Sequence, residues 1–181
     1  MSPKGGRPPV DGFDLSDPIN ARFWNDAAWQ TKMGETMTPD EVDPSQYKAI
    51  FYAGGHGAMW DFPNNEALAK IAASIYEAGG IVSAVCHGPA GLLPIKLQDG
   101  TYLINGKKLT GFTNPEEEAN GTAKIVPFML ETALENEGAQ FEEGAMWSDH
   151  VVTDGRLITG QNPMSALSLG KTLLNALQTE K

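Results

Sequence analysis

Cysteine is nearly missing from this sequence: its 181 residues include one, Cys86. A lone cysteine excludes an internal disulfide framework and fits a reducing compartment, so the cytoplasm is the expected location. Basic residues are scarce as well, 13 Lys and Arg against 23 Asp and Glu, for a formal net charge of -10. A surface this acidic, with a pI near 4.6 and no Lys/Arg cluster, repels phosphate backbones and anionic headgroups. Neither nucleic acid nor a membrane is an expected partner. No apolar run approaches the ~20 residues that a spanning helix needs, and the opening Met1-Ser2-Pro3-Lys4-Gly5-Gly6 lacks the apolar stretch of a signal peptide. There are three histidines, His56, His87 and His150. Their spacing, with His87 adjacent to Cys86, matches no zinc pattern, so no metal is expected. Nor is a cofactor: Gly54-Gly55-His56-Gly57 lacks the Lys-Ser/Thr ending of a phosphate loop. Repeats and low-complexity tracts are absent.

What is present reads as one α/β domain, 1–181. Residues 1–45 are polar and rich in turn formers and are expected to be mostly irregular. Within them Phe23, Trp24, Ala27, Ala28 and Trp29 can form one apolar face of a short helix. From residue 46 strands and helices alternate. Lys48-Ala49-Ile50-Phe51-Tyr52-Ala53 and Ile81-Val82-Ser83-Ala84-Val85 read as strands buried on both faces. Between them Asn64 or Asn65 caps a helix carrying Leu68, Ile71, Ala72 and Ile75, stopped by Gly79-Gly80. A second helix is expected after Cys86. Short strands are expected at Leu103-Ile104 and Lys108–Phe112, and a helix start at Asn114-Pro115 with Asn114 as its cap. Further helices run through Leu130 and Leu134, and from Pro163 to Leu177 with Ala166, Leu169, Leu173, Leu174 and Leu177 on the buried side. A hairpin at 150–159 turns on Asp154-Gly155. The alternation implies a three-layer α/β sandwich around a mostly parallel sheet.

In such a sheet ligands gather at the carboxyl ends of the strands. Two strand ends here carry reactive groups: Gly54-Gly55-His56-Gly57 and Ala84-Val85-Cys86-His87-Gly88. The second has the small-x-nucleophile-x-Gly form of a nucleophile elbow. A lone cysteine in an apolar run is ordinarily an inert core residue. The adjoining His-Gly-Pro and the separate Gly-Gly-His-Gly weigh for chemistry instead. At a helix N-terminus the thiol is expected to be accessible and of low pKa, and the amides of Gly55 and His87 are placed to hold an oxyanion. His56 reads equally well as a pocket residue and as an exposed loop residue. Trp24, Trp29, Trp60 and Trp147 read as packing anchors, with a pocket wall as a second reading of Trp60. Asn162 and Ser165 read as helix caps, and His150 beside Asp149 as a surface pair.

The pieces Ala53-Gly54-Gly55-His56-Gly57, Val85-Cys86-His87-Gly88-Pro89, Gly111-Phe112-Thr113-Asn114, Glu116-Glu117-Glu118 and Asp154-Gly155-Arg156-Leu157-Ile158-Thr159-Gly160-Gln161-Asn162-Pro163 run in order along the chain. With Ser2-Pro3-Lys4-Gly5-Gly6, they resemble the ThiJ/PfpI superfamily, whose flavodoxin-like fold is that of class I glutamine amidotransferases. The branch resembled comprises heat-inducible chaperones and glutathione-independent glyoxalases. The resemblance implies Cys86 as nucleophile, His87 as proton carrier, Glu117 as the acid behind it, and Gly54, Gly55 and His56 against the substrate. Glu116 and Glu118 are expected to face solvent. The implied reaction is conversion of methylglyoxal, a small dicarbonyl, to lactate without cofactor. A cysteine peptidase or amidase and a non-enzymatic stress chaperone or redox sensor are the other readings. The family's opening strand, helix and second strand, with a glutamate beside the cysteine, have no counterpart ahead of Ser2. Feeble turnover is therefore expected. So is a strand edge laid bare beside 48–53 or 81–85, covered by a partner in a homodimer or larger oligomer.

Overall fold

The computed structural model describes residues 1–10 and 13–179. The chain divides into two compact units, Met1–Val42 and Asp43–Lys181. The first is less irregular than its sequence suggests. Helices α1 (Pro18–Trp24) and α2 (Ala27–Gly34) are each opened by an aspartate: Asp17 accepts from the amides of Ile19 and Asn20, and Asp26 from that of Trp29. The expected apolar face is thus split across two helices, joined by a Phe23–Trp29 ring contact at 5.1 Å.

The second unit contains β1 (Ala49–Tyr52), α3 (Ala58–Asp61), α4 (Glu66–Glu77), β2 (Ile81–Val85), β3 (Lys108–Leu109), α5 (Asn114–Ala119), α6 (Leu130–Asn136), β4 (Gln140–Phe141), β5 (Val151–Asp154), β6 (Leu157–Gly160) and α7 (Ala166–Thr179). The main sheet has the order β1-β2-β6-β5, with β1, β2 and β6 parallel and β5 antiparallel on β6. β3 and β4 form a separate parallel pair. Helix α4 packs on β1 and β2, and α7 on β2 and β6. The central strands β2 and β6 are buried at every position, as their near-continuous apolar runs require. β1 is a terminal strand of the sheet, with Phe51 47% exposed.

The sequence and the structure part at several places. β1 is not buried on both faces as read, and the strand expected at Lys108–Phe112 spans only Lys108–Leu109. Leu103 and Ile104 are buried in a turn and form no strand. Apolar pairs mark burial there, while the backbone is closed by the bridge between Lys96 and Tyr102. The segment after Cys86 is a 3-10 helix, Gly88–Leu92. The cap of α5 is Thr113, in a capping box with Glu116, and Asn114 is the first helical residue. On α7 the expected buried side is incompletely covered: Leu169 is buried, whereas Ala166 and Leu174 are exposed.

Close approach of β1 to the 3-10 helix explains two glycines. A Cβ on Gly88 would lie 2.3 Å from the Tyr52 carbonyl oxygen, and one on Gly91 would lie 2.5 Å from the Tyr52 ring. Glycine lets the segment after Cys86 fold down on the end of β1. The register Tyr52↔Ala84 then sets the loop after β1 beside Cys86.

Candidate active site

Cys86 follows the last residue of β2 and has φ 59, a left-handed conformation that few non-glycine residues adopt. That turn takes the side chain out of the strand's alternation and aims it along the strand end, as a nucleophile elbow does. The Cys86 amide stays on the sheet through a 2.9 Å bond to the Gly160 carbonyl. Gly54 packs against it so closely that a Cβ there would lie 2.8 Å from Cys86 Cβ. Gly55, at φ +95, turns its amide toward the sulfur, and the His87 amide points there too. Both backbone donors expected to hold an oxyanion thus converge on Sγ.

His87 is buried, 1% exposed, and its Nδ1 lies 3.3 Å from Cys86 Sγ. Its Nε2 lies 2.7 Å from Glu117 Oε2. Neutral imidazole donates from one nitrogen and accepts at the other. With Nε2–H given to the carboxylate, Nδ1 keeps a lone pair facing the thiol. Glu117 is 2% exposed and uses its second oxygen as well: Oε1 meets His56 Nε2 at 3.0 Å and accepts from the Thr122 hydroxyl. The His56 side chain is 38% exposed and therefore lies between the core and solvent. The rings stack in the order His56, His87, Phe112, with centroids 4.1 and 4.3 Å apart, and Trp147 meets Phe112 edge-on at 5.6 Å.

The electrostatics correct one expectation. Cys86 is 8% exposed, and burial pushes its thiol up to about 11, against the opposing Gly55 and His87 amide bonds. The carboxylates of Glu116 and Glu117 add to the rise. The anticipated low pKa rested on a helix dipole, and the five-residue 3-10 helix after Cys86 supplies little of one. Burial likewise lowers His87, although Glu117 pulls the other way. Burial alone would raise Glu117, but hydrogen bonds from Thr122, His87 and His56 outweigh it and hold the carboxyl below its ordinary range. The resting pair is a neutral thiol on a neutral imidazole, backed by a carboxylate.

Glu116 is the second correction. It does not face solvent but is fully buried. Its Oε1 accepts from the Trp147 amide (2.8 Å), Gln161 Nε2 (3.0 Å) and Asn162 Nδ2 (2.7 Å), and its Oε2 accepts from the Thr113 amide and hydroxyl. Glu118 is exposed. Asn162 caps the 3-10 turn at Pro163–Ser165, as read from the sequence, and also reaches Glu116. Trp147 is no buried anchor: at φ 58 and 41% exposed, it presents its ring beside Phe112. Trp60 is 51% exposed.

The sequence profile of the DJ-1/PfpI family matches residues 19–176. The chain belongs to the DJ-1/PfpI family. Among its DJ-1/PfpI relatives, glyoxalase 3 of Candida albicans is 40% identical over 173 residues, covering 91% of this chain and 70% of that protein. The glutathione-independent glyoxalase HSP31 of Saccharomyces cerevisiae is 38% identical, over 93% of this chain and 72% of its own length. A probable glutathione-independent glyoxalase of Schizosaccharomyces pombe, hsp3103, is 39% identical, and the chain spans 61% of its length. Among solved structures, glyoxalase III of Candida albicans superposes with a TM-score of 0.82 at 34% identity, over 87% of this chain and 70% of that one. The Rapid Encystment Protein of Francisella tularensis does so with a TM-score of 0.92 at 37% identity, over 96% and 78%. All six residues singled out in the sequence, Gly54, Gly55, His56, Cys86, His87 and Glu117, fall within the DJ-1/PfpI match and at one place in this fold.

Proposed function

We propose that this chain is a cysteine-dependent, glutathione-independent glyoxalase that converts methylglyoxal, or a related small dicarbonyl, to the 2-hydroxy acid. The observation that carries the reading is the unbroken line Cys86 Sγ–His87 Nδ1 at 3.3 Å and His87 Nε2–Glu117 Oε2 at 2.7 Å, in a family whose similar members bear that activity in their names. Because the thiol rests neutral, attack and deprotonation are coupled. The sulfur bonds to the aldehyde carbon, the thiol proton passes to His87 Nδ1, and the carbonyl electron pair moves to oxygen. The Gly55 and His87 amides receive that oxyanion. His87 then returns its proton to the oxygen, which gives a hemithioacetal and restores the neutral base. The base takes the proton from the carbon bearing sulfur and returns it to the neighbouring carbon, while the hemithioacetal hydroxyl proton passes to the neighbouring oxygen, so that the ketone becomes a hydroxyl and the carbon bearing sulfur becomes a carbonyl. The product is a thioester, which water hydrolyses to lactate and free thiol. Glu117 fixes the tautomer of His87 and stabilises its cationic form, the role of a triad acid.

Incubation of the protein with methylglyoxal in the absence of glutathione, followed by enzymatic assay of lactate, tests the reading. Stoichiometric lactate, abolished by Cys86→Ser, is expected. Dicarbonyl loss without lactate, or lactate formation that survives Cys86→Ser, refutes it. Suppression of client aggregation undiminished by Cys86→Ala, without lactate formation, would favour the chaperone reading. We further propose that a second copy pairs along β1, whose outer edge carries no strand among the described residues.

A further inference from the structure

Spacing along the chain gave no hint of a metal site, because one ligand is a carboxylate that the fold brings from α5. A ring nitrogen of His56, one of His87 and a carboxylate oxygen of Glu117 lie within 4.8 Å of one another. Two of the separations are already short, 3.0 Å from His56 to Oε1 and 2.7 Å from His87 to Oε2. Zinc binds imidazole nitrogen and carboxylate oxygen at about 2.0–2.2 Å, so tetrahedral geometry spaces the ligand atoms roughly 3.2–3.5 Å apart. The two short pairs widen by a few tenths of an ångström, and the widest separation, up to 4.8 Å, closes by about an ångström, to convert the hydrogen-bonded cluster into a cage. Two ligands are held in the core, with His87 and Glu117 at 1% and 2% exposure. The third, His56, is 38% exposed and lies in the loop between β1 and α3. It marks the solvent-facing side of the cluster, by which an ion and its water enter. Among the described residues no lysine or arginine pairs with Glu117, whose ionic partners are the two histidines. The Thr122 hydroxyl bonds to the Glu117 oxygen, the kind of outer contact that orients a ligating carboxylate. Cys86 stands outside the set, because Sγ faces Nδ1, the other nitrogen of the His87 ring.

We infer that His56, His87 and Glu117 form a two-histidine, one-carboxylate site for a divalent transition metal, with Zn2+ as the fitting ion and water completing its shell. The ion takes the place of both imidazole–carboxylate hydrogen bonds. One consequence rests on the proposed function. With Nε2 bound to metal, the neutral ring carries its proton on Nδ1 and can no longer accept the thiol proton, so occupancy switches the cysteine chemistry off.

The binding itself is tested without reference to turnover. The protein, stripped with EDTA and desalted, is titrated with Co2+ while visible absorption is followed, and then with Zn2+. One Co2+ per chain, with d–d bands that one equivalent of Zn2+ abolishes, is expected. His56→Gln should weaken binding at least about tenfold, since even outer-shell losses cost 10–100-fold, whereas His150→Gln should not. In the wild-type protein, Zn2+ should move the imidazole C–H resonances of His56 and His87 and leave those of His150 in place. This measurement needs no variant to fold. Absence of saturable binding at micromolar metal, an unchanged affinity in His56→Gln, or a titration that moves His150 alone overturns the site. If metal binds as expected and the stripped protein still forms no lactate, the proposed function fails while the metal site stands.

Discussion

Glu116→Gln tests whether the buried carboxylate of α5 organises the wall of the site. The wild-type side chain is fully buried, and among the described residues no cation pairs with it. Its charge is held by neutral donors alone: the Trp147 amide, Gln161 and Asn162 on one oxygen, and the Thr113 amide and hydroxyl on the other. Glutamine fits sterically but turns one oxygen into a donor. Its better orientation faces Thr113, where the hydroxyl can reverse but the amide bond is lost. The three bonds on the other oxygen survive as neutral ones, at about half their former strength. Taking about 1 kcal/mol for each weakened or lost bond, and allowing for the desolvation cost that a neutral side chain avoids, the net loss is about 2–3 kcal/mol. For a chain of this size that is about 5–10 °C in Tm. Burial raises the Glu116 pKa, but its hydrogen bonds from Trp147, Gln161, Thr113 and Asn162 outweigh burial and depress it below the reference value of 4.5. The charge-linked stability is therefore present above pH 4.5 and is lost as pH falls through the lower folded value, so the gap between variant and wild type should narrow in acid. Thermal melts followed by circular dichroism at pH 7 and at pH 4, with exposed Glu118→Gln as control, measure both effects. A Glu116→Gln melt within 1 °C of wild type, or a gap that widens in acid, would refute the reasoning.

Alkylation of Cys86 by iodoacetamide should be slow at neutral pH and rise about tenfold per pH unit from 7 to 9, because the thiol is held at about 11 by burial and the thiolate is the nucleophile. A rate that levels off below pH 8 would contradict the buried neutral thiol. Since the folded state keeps that proton between the reference value of 9.0 and about 11, stability should fall as pH rises through this window, and Cys86→Ala should flatten the fall in urea titrations. Glu117→Gln should cut lactate formation at least about tenfold, since general-base contributions run to ~10²–10⁴, while Glu118→Gln leaves it unchanged. Equal losses in the two would remove Glu117 from its role. Light scattering at micromolar concentration should give at least twice the 19.4 kDa chain mass, and Phe51→Lys on the exposed edge strand should reduce it. A monodisperse wild-type monomer would rule out pairing at β1.

The parts of the fold legible in the sequence are those where burial and backbone need coincide. Ile81–Val85 is apolar but for the small Ser83 because β2 is covered on both faces, and Asn65 announces α4 because its side chain accepts from the Leu68 amide at 3.0 Å. The turn at Asp154-Gly155 is legible because Gly155 takes φ 59 between two paired strands. Leu103 and Ile104 misled because an apolar pair reports burial and is silent about the backbone. On α7, the helical repeat of leucines gives a face but not what covers it. The site divides in the same way. Cys86, His87 and the glycine pair are contiguous with their strands, so their convergence follows from parallel pairing of β1 with β2.

Glu116 and Glu117 show where reading the sequence stops. They are chemically identical neighbours at the start of one helix, and the rotation of about 100° between consecutive helical residues gives them different partners. Glu117 meets two histidines and the Thr122 hydroxyl, whereas Glu116 meets amides and the Thr113 hydroxyl and no histidine. The capping box spends Glu116 on the Thr113 backbone and so fixes the rotation that aims Glu117 at His87. The more deeply bonded acid is thus what orients the one beside His87. It also holds Trp147 at positive φ through its amide, so that the Trp147 ring stands against Phe112, which stacks on His87. One carboxylate therefore positions two walls of the site. Substitutions at Glu116 should accordingly be felt at the His87 ring as well as in the melting curve, a coupling that the order of residues does not encode and that appears once Thr113, Trp147, Gln161 and Asn162 meet around a single side chain.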